Sequence, residues 1–401
     1  MSGIKYWVWL SECGGLTLRA KLLLLEHFGT PENIYFAGRE DYLHVDGMDL
    51  RLADALSDKS LDTADRVLGD CERLGLRILT MQDADYPVRL RNIYEPPCLL
   101  YVRGRLPTID EEAAVAMVGT RGATPYGIET AETMAYELAK QGALIVSGAA
   151  SGIDTAAHHG ALRAGAKTVA VLGCGIDVIY PEQNRRLYQD IAASGALVSE
   201  YAPGTPAIGS HFPVRNRIIS GLCLATVVVE APERSGALIT AHTALEQGRD
   251  VFAVPGAINA PNSRGCNRLI ADGEAALLAD SSDILREYEA RYPHKLRSGR
   301  VELPRTLGYQ ARREKEARAE KKREEQLPAL DLRPGRTELT DDQIAIVRKL
   351  KEGEMQVDDL IEAVGLPTRR VLSALTVLEI EGHVAQSGGK RFSLNVEVLE
   401  E

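Results

Sequence analysis

The sequence has no C-x-x-C pair, no long apolar run and no excess of basic residues. Its six cysteines, Cys13, Cys71, Cys98, Cys174, Cys223 and Cys266, lie far apart. A disulfide framework or zinc site is therefore not expected, and the thiols read as small core residues in a reducing compartment. No stretch approaches the ~18 apolar residues a membrane helix needs. The start, MSGIKYWVWLSECGG, lacks the basic segment and apolar core of a secretory leader. A soluble, cytoplasmic protein without a membrane partner is expected. Lys and Arg number 47 against 57 Asp and Glu, a net charge of −10. Nucleic-acid binding, if present, must then rest on local patches.

Chemical signatures are also missing. No phosphate loop G-x-x-x-x-G-K-[ST] occurs, so nucleotide hydrolysis has no obvious seat. Gly173-Cys174-Gly175 opens like a dinucleotide fingerprint, but Val178 stands where the third glycine belongs. Asp154 and His158, one helical turn apart, and Glu230 at a strand end are thin catalytic candidates. With no Ser-His-Asp order and no paired carboxylates, neither catalytic residue, metal nor cofactor is expected.

What is present is a strong alternation. An apolar run, Ala113 to Val118, ends at Gly119-Thr120-Arg121, and a helical pattern follows from about Ile128 to Gln141. A second apolar run, Ala143 to Val146, ends at Ser147-Gly148-Ala149 and turns through Ser151-Gly152 into another helix. Further strands are expected at Thr168–Leu172, Ala196–Ser199, Ala225–Glu230 and Asp250–Val254, separated by helices. Apolar strands alternating with helices predict a parallel sheet covered on both faces. The fold class is thus α/β: a Rossmann-like parallel-sheet domain at 85–290. It is flanked by an N-terminal helical domain (SAM- or helix–hairpin–helix-like) at 1–84 and a charged linker at 291–339. In the N-terminal domain, residues 42–48 read as the turn between two short helices. Asp41 and Asp46 make that turn a poor phosphate seat. The linker run 311–325 mixes both signs and reads as a solvated segment. Residues 340–401 read as helix, helix, turn, helix and a two-stranded wing, a winged-helix domain. Its third helix opens with Thr368-Arg369-Arg370, as a DNA reader might, yet later carries Glu379 and Glu381; DNA and protein contact both stay open.

Four turns at successive strand ends are anion-friendly: Gly119-Thr120-Arg121, Ser147 to Gly152, Gly173 to Gly175, and Ser235-Gly236 at a helix start. Arg121 adds a planar cation suited to phosphate. The segment His211-Phe212-Pro213-Val214-Arg215-Asn216-Arg217 places two guanidiniums and an amide beside an aromatic ring, expected at the start of a helix spanning 214–221. Phosphate contacts beside a stacking ring suit single-stranded nucleic acid. The alternative has Arg215 or Arg217 bracing the fold through acids such as Glu200 and Glu230.

The motifs VGTR, SGAASGIDTAAH, AVLGCGIDVIYPEQN, SEYAPGTP, FPVRNRIISGL, VVVEAPERSGALITAHTALEQGRDVFAVPG and GCNRLIADG resemble, in order and spacing, the DprA/Smf (DNA-processing protein A) family over roughly residues 85 to 280. The flanks match more loosely. The resemblance implies a non-enzymatic single-stranded DNA-binding protein of natural transformation, which protects incoming strands, loads the recombinase RecA and forms a homodimer through the Rossmann-like domain. Carried over, its DNA pocket would use Gly119, Arg121, the Ser147 to Gly152 turn, Phe212, Arg215, Asn216 and Arg217, with Thr120, Ser235 and Gly236 beside them. Where relatives often carry basic residues, in the second glycine turn and after the Tyr-Pro pair, this sequence has Ser151 and Glu182. Two other readings remain. One is a nucleotide- or phosphoribosyl-processing enzyme, since the fold variant also resembles the cytokinin-activating lysine-decarboxylase-like family, although the P-G-G-x-G-T-x-x-E motif is absent. The other is a winged-helix transcription regulator.

Overall fold

The computed structural model describes residues 3–297, 299, 301–304, 329–333, 339–387 and 391–400. It divides into two units, Met1–Ala311 and Arg312–Glu401. The charged run 311–325 and the wing-turn residues 388–390 lie outside the described residues.

The first unit opens with helices α1 (Ile4–Glu12), α2 (Leu18–Phe28), α3 (Pro31–Phe36), α4 (Arg39–Tyr42), α5 (Leu50–Ala55) and α6 (Asp62–Leu74). Their starts are encoded locally. Thr17, Thr30 and Asp49 accept the amides of Ala20, Asn33 and Leu52, caps typically worth ~1 kcal/mol each. The apolar faces of this layer do not close on themselves. Leu10, Leu24, Ile34 and Leu56 share one core cluster with Tyr101, Ala170, Leu172 and Leu197 of the sheet. The helical layer thus covers part of one sheet face.

The strands are β1 (Arg77–Thr80), β2 (Leu99–Gly104), β3 (Ala114–Val118), β4 (Leu144–Ser147), β5 (Thr168–Leu172), β6 (Ala196–Ser199), β7 (Ala225–Val228), β8 (Asp250–Ala253) and β9 (Ala276–Leu277). They pair in the order β1-β2-β6-β5-β4-β3-β7-β8-β9. Strand β2 runs antiparallel to β1 and β6, and the other pairings are parallel. The intervening helices are α7 (Val88–Arg91), α8 (Pro125–Lys140), α9 (Ile153–Arg163), α10 (Arg185–Ser194), α11 (His211–Leu222), α12 (Gly236–Glu246), α13 (Arg264–Ala271) and α14 (Ser281–Tyr288). Side chains alternate across β3: Ala114, Ala116 and Val118 pack with Ile218, Ile219 and Ala241, whereas Val115 and Met117 pack with Ala131, Leu138 and Ala157. Burial of both faces explains why the strands read as unbroken apolar runs. The chain leaves β3 toward β4, β5 and β6, then returns to place β7 on the other side of β3. That reversal opens a crevice at the carboxyl ends of β3 and β7.

Two helix starts differ from the sequence expectation. Helix α8 begins at Pro125, capped by Thr124, because proline is favoured at a first helical position. Helix α11 begins at His211 rather than Val214. Pro213 then falls in the first turn, where no intrahelical N–H bond is lost, and Arg215 to Arg217 occupy the following turn rather than the helix start.

The second unit holds β10 (Ala329–Asp331), α15 (Asp341–Leu350), β11 (Met355–Gln356), α16 (Val357–Val364), α17 (Thr368–Ile380), β12 (Val384–Ser387), β13 (Arg391–Leu394) and β14 (Glu397–Leu399). Strands β11, β13 and β12 form the antiparallel wing sheet. Thr340 and Gln343 cap α15 reciprocally. Ile346, Leu360, Val371, Leu378 and Phe392 fill the core, giving a winged-helix domain. Strand β10, inside the expected linker, pairs in parallel with β14.

Candidate nucleic-acid interface

The crevice at the reversal point is a cavity of about 360 Å³. Gly119, Thr120, Arg121, Phe212, Arg215, Asn216, Ser235 and Gly236 all line it, so segments expected to act together from the sequence do converge. Ser147, Gly148, Ala149, Ser151, Gly152 and Arg217 are not among the lining residues.

The two glycine turns are first of all docked on each other. A Cβ at Gly119 would stand 2.3 Å from Ile153 Cγ1 and 2.9 Å from the Glu230 carbonyl. The Thr120 amide donates to that carbonyl at 2.7 Å. Gly152, at φ +78°, has room only for hydrogen, since a Cβ would lie 2.4 Å from the Thr120 carbonyl. In the second turn the amides of Gly148 and Ala150 donate to Asp154 Oδ2 at 3.1 and 3.4 Å. The Ser147 hydroxyl donates to the Met117 carbonyl at 2.6 Å. These donors are taken by the protein itself. Of the turn expected to be anion-friendly, the Ser147 hydroxyl and the Gly148 and Ala150 amides are engaged internally, and exposed Ser151 is its outward edge.

The electrostatics follow from burial. Asp154 is pushed up to about 6 by burial, against the pull of Arg215. Arg215 is itself buried; its Nη1 donates to the Gly148 carbonyl at 2.9 Å and to the Val171 carbonyl. Arg217 points to the other flank of α11, where it pairs with Glu200 at 2.5 Å. Of the two guanidiniums in this segment, one underlies the crevice and the other braces the fold. Asn216 donates to the Gly236 carbonyl at 3.4 Å, tying α11 to the start of α12. Counting side chains on the crevice wall, Arg121, Arg215 and Arg234 face one carboxylate, Asp154. The cavity is cationic although the chain is acidic.

The aromatic part adds a stacking surface. The Arg121 guanidinium lies 4.7 Å from the Phe212 ring centroid and 5.9 Å from that of Tyr180. The two rings are 5.3 Å apart. Gly173 makes the seat for Phe212, since a Cβ there would come within 2.9 Å of its Cδ1. The sequence reading missed Arg234 and Tyr180. The first sits beside the Ser235-Gly236 turn, which was a usable signal; the second is the tyrosine of the Tyr-Pro pair that precedes Glu182 in the motif AVLGCGIDVIYPEQN, which was a signal too.

The remaining polar candidates are engaged elsewhere. Glu230 accepts from the Thr124 amide at 2.8 Å and from its hydroxyl at 2.6 Å, closing the start of α8. Buried His158 contacts Thr168 Oγ1 through Nδ1 at 2.8 Å, and burial pushes its pKa down to about 3, so the ring is neutral. Thr168 donates its own proton to the Ile145 carbonyl, which makes His158 Nδ1 the donor. Among the described residues no group of three His, Cys, Asp or Glu side chains is placed to hold a metal ion. Among them, too, no helix is long and apolar enough to cross a membrane.

A doubly wound sheet with a cationic, ring-walled crevice at its reversal point, and a winged-helix domain, define a protein of the Rossmann-like, winged-helix class. Residues 77–289 match the family model for DNA recombination-mediator protein A, and residues 331–390 match that for the DprA winged helix domain. The chain is 46% identical over 207 residues to the DNA processing protein DprA of Streptococcus pneumoniae, spanning 52% of this chain and 72% of that protein. It is 38% identical over 280 residues to the protein Smf of Synechocystis, spanning 69% of this chain and 70% of that one. The X-ray structure of DprA from Streptococcus pneumoniae superposes with a TM-score of 0.63 at 37% identity, covering 71% of this chain and 97% of that one. The chain belongs to the DprA/Smf family of DNA processing proteins.

Proposed function

We propose that the protein binds single-stranded DNA in the crevice between β3 and β7, without catalysing a reaction on it. In this reading it protects incoming strands during natural transformation, loads RecA onto them and forms a homodimer through the Rossmann-like domain. The observation that carries the reading is the placement of the Arg121 guanidinium 4.7 Å from the Phe212 ring at a crevice lined by two further arginines. A cation for phosphate beside a ring for a base is the pairing that single strands require. The names of its relatives, DNA processing proteins, support it. The DNA contacts would come from Thr120, Arg121, Phe212, Asn216, Ser235 and Gly236, with Gly119, Arg215 and the Ser147 to Gly152 turn as their frame. Arg217 serves the fold.

The enzymatic reading draws little support, because Glu230, its best acid, is bonded to Thr124. Nor does α17 favour a duplex reader: Arg370 is paired with Asp342 at 2.6 Å, and Leu372, Val377 and Ile380 are exposed. A titration of labelled single- and double-stranded oligonucleotides against the full chain tests the proposal. Preference for the single strand, weakening as salt rises, is expected. Equal or no binding to both would refute it.

A further inference from the structure

One exposed aromatic of the stacking surface stands outside the DNA contacts proposed for the crevice. Tyr180 lies in the loop between β5 and α10 and is 39% exposed. Large aromatic side chains left half in water on a rigid frame are the usual platform for a base. The frame here is rigid for identifiable reasons. The Tyr188 hydroxyl donates to the Tyr180 carbonyl at 2.8 Å. Four residues further on, Asn184 donates to the Ala149 carbonyl at 2.9 Å and to Thr155 Oγ1 at 2.8 Å. The loop is therefore tied at both points, once to α10 and once to the second glycine turn and α9. Its ring is not part of a closed core: its neighbours are the Phe212 ring, 5.3 Å away at an angle of 36°, and Arg121.

A spacing of 5.3 Å is too short for a base to slide between the rings. The two form a tilted step, with the base to be laid on an outer face. Because the Arg121 guanidinium is within 6 Å of both ring centres, one nucleotide can pair its phosphate with Arg121 and rest its base on either ring.

We propose that Tyr180 is a base-stacking residue, the second tread of a Tyr180–Phe212 step that lengthens the strand's track from the crevice toward the carboxyl end of β5. The inference rests on the single-stranded DNA reading and adds a contact to it. Tyr180 grips bases, not phosphates, and it is indifferent to sequence, since every base has a π-face.

The test uses the full chain and fluorescence anisotropy with a single-stranded oligonucleotide, alongside an equally long strand of abasic sites. Tyr180→Ala should lose about 5- to 100-fold in affinity for the normal strand, with an unchanged salt slope. It should bind the abasic strand as the unsubstituted protein does. Tyr180→Phe should keep its affinity, which guards against a folding defect. A 2-aminopurine base in the strand should be quenched on binding by the parent and less so by Tyr180→Ala. Unchanged affinity of Tyr180→Ala, or an equal loss on the abasic strand, in a protein that otherwise binds single strands through Arg121, would overturn the inference and leave the functional reading standing. Absence of binding by the unsubstituted protein would overturn both.

Discussion

The Asp154 carboxylate accepts the Gly148 amide at 3.1 Å and does from inside the chain what a bound anion would do from outside. Its burial has a measurable price in pH dependence. Burial raises its pKa from 3.8 to about 6, with Arg215 opposing. The folded chain therefore holds this proton more tightly than the unfolded one. The stability it contributes is full below about pH 4 and is lost as pH rises through about 6, a swing on the order of 3 kcal/mol. Asp154→Asn cannot titrate. The stability of the parent relative to this variant, from denaturant melts, should fall as pH rises from about 4 to 7. A constant difference would show that the carboxyl is not held as the geometry implies.

The Arg217–Glu200 pair should matter for stability and little for binding. Burial raises the Glu200 pKa while Arg217 pulls it down. Arg217→Ala would strand a buried carboxylate, which typically costs about 3–5 kcal/mol. Removing both charges, Arg217→Met with Glu200→Leu, should recover much of that loss. Equilibrium unfolding of the three proteins distinguishes this from a DNA contact: a stable Arg217→Ala protein that has lost affinity would contradict the assignment.

How far these roles could be read beforehand depends on the kind of order involved. The parallel sheet was legible because strands buried on both faces have to be apolar throughout, as Val115 to Val118 are. The direction of each arginine was less so, although one geometric clue existed. Residues two apart on a helix point roughly 200° from each other, so Arg215 and Arg217 cannot both face one crevice. That clue lay within the expected helix 214–221, which already holds both residues; which of the two faces the crevice depends on how the helix packs, and no local pattern encodes that. The capture of the Gly148 and Ala150 amides by Asp154 was hidden for a different reason. A glycine turn has the same composition whether its amides face a ligand or a neighbouring side chain. Tyr180 stood in a quoted motif, but its placement against Phe212 depends on the path of the loop after β5, which no local pattern encodes.

Gly152 supplies a sharp stability contrast with its neighbour. At φ +78°, with a prospective Cβ 2.4 Å from the Thr120 carbonyl, Gly152→Ala should cost roughly 2–5 kcal/mol from strain and overpacking together. Ser151→Ala, at an exposed position one residue away, should stay within ~0.5 kcal/mol. Thermal melts of the two variants decide it. Equal melting points would mean that the two turns are not packed together as observed.

Arg121 is where the functional reading is most exposed to test. The side chain is solvent-exposed and lies over the Phe212 and Tyr180 rings, so its removal should leave the fold intact. As a charged partner of phosphate it should contribute at least ~1 kcal/mol to single-strand affinity. Arg121→Ala should also lower the slope of log K against log salt by about 0.7, the loss of one phosphate contact. Arg121→Lys keeps the charge but not the planar fork that lies on the rings. It should restore the slope while recovering only part of the affinity. An Arg121→Ala protein that melts like the parent and binds single strands with the parent's affinity and slope would rule out the crevice as the binding site, because among the described residues no other exposed cation on its wall lies against both rings.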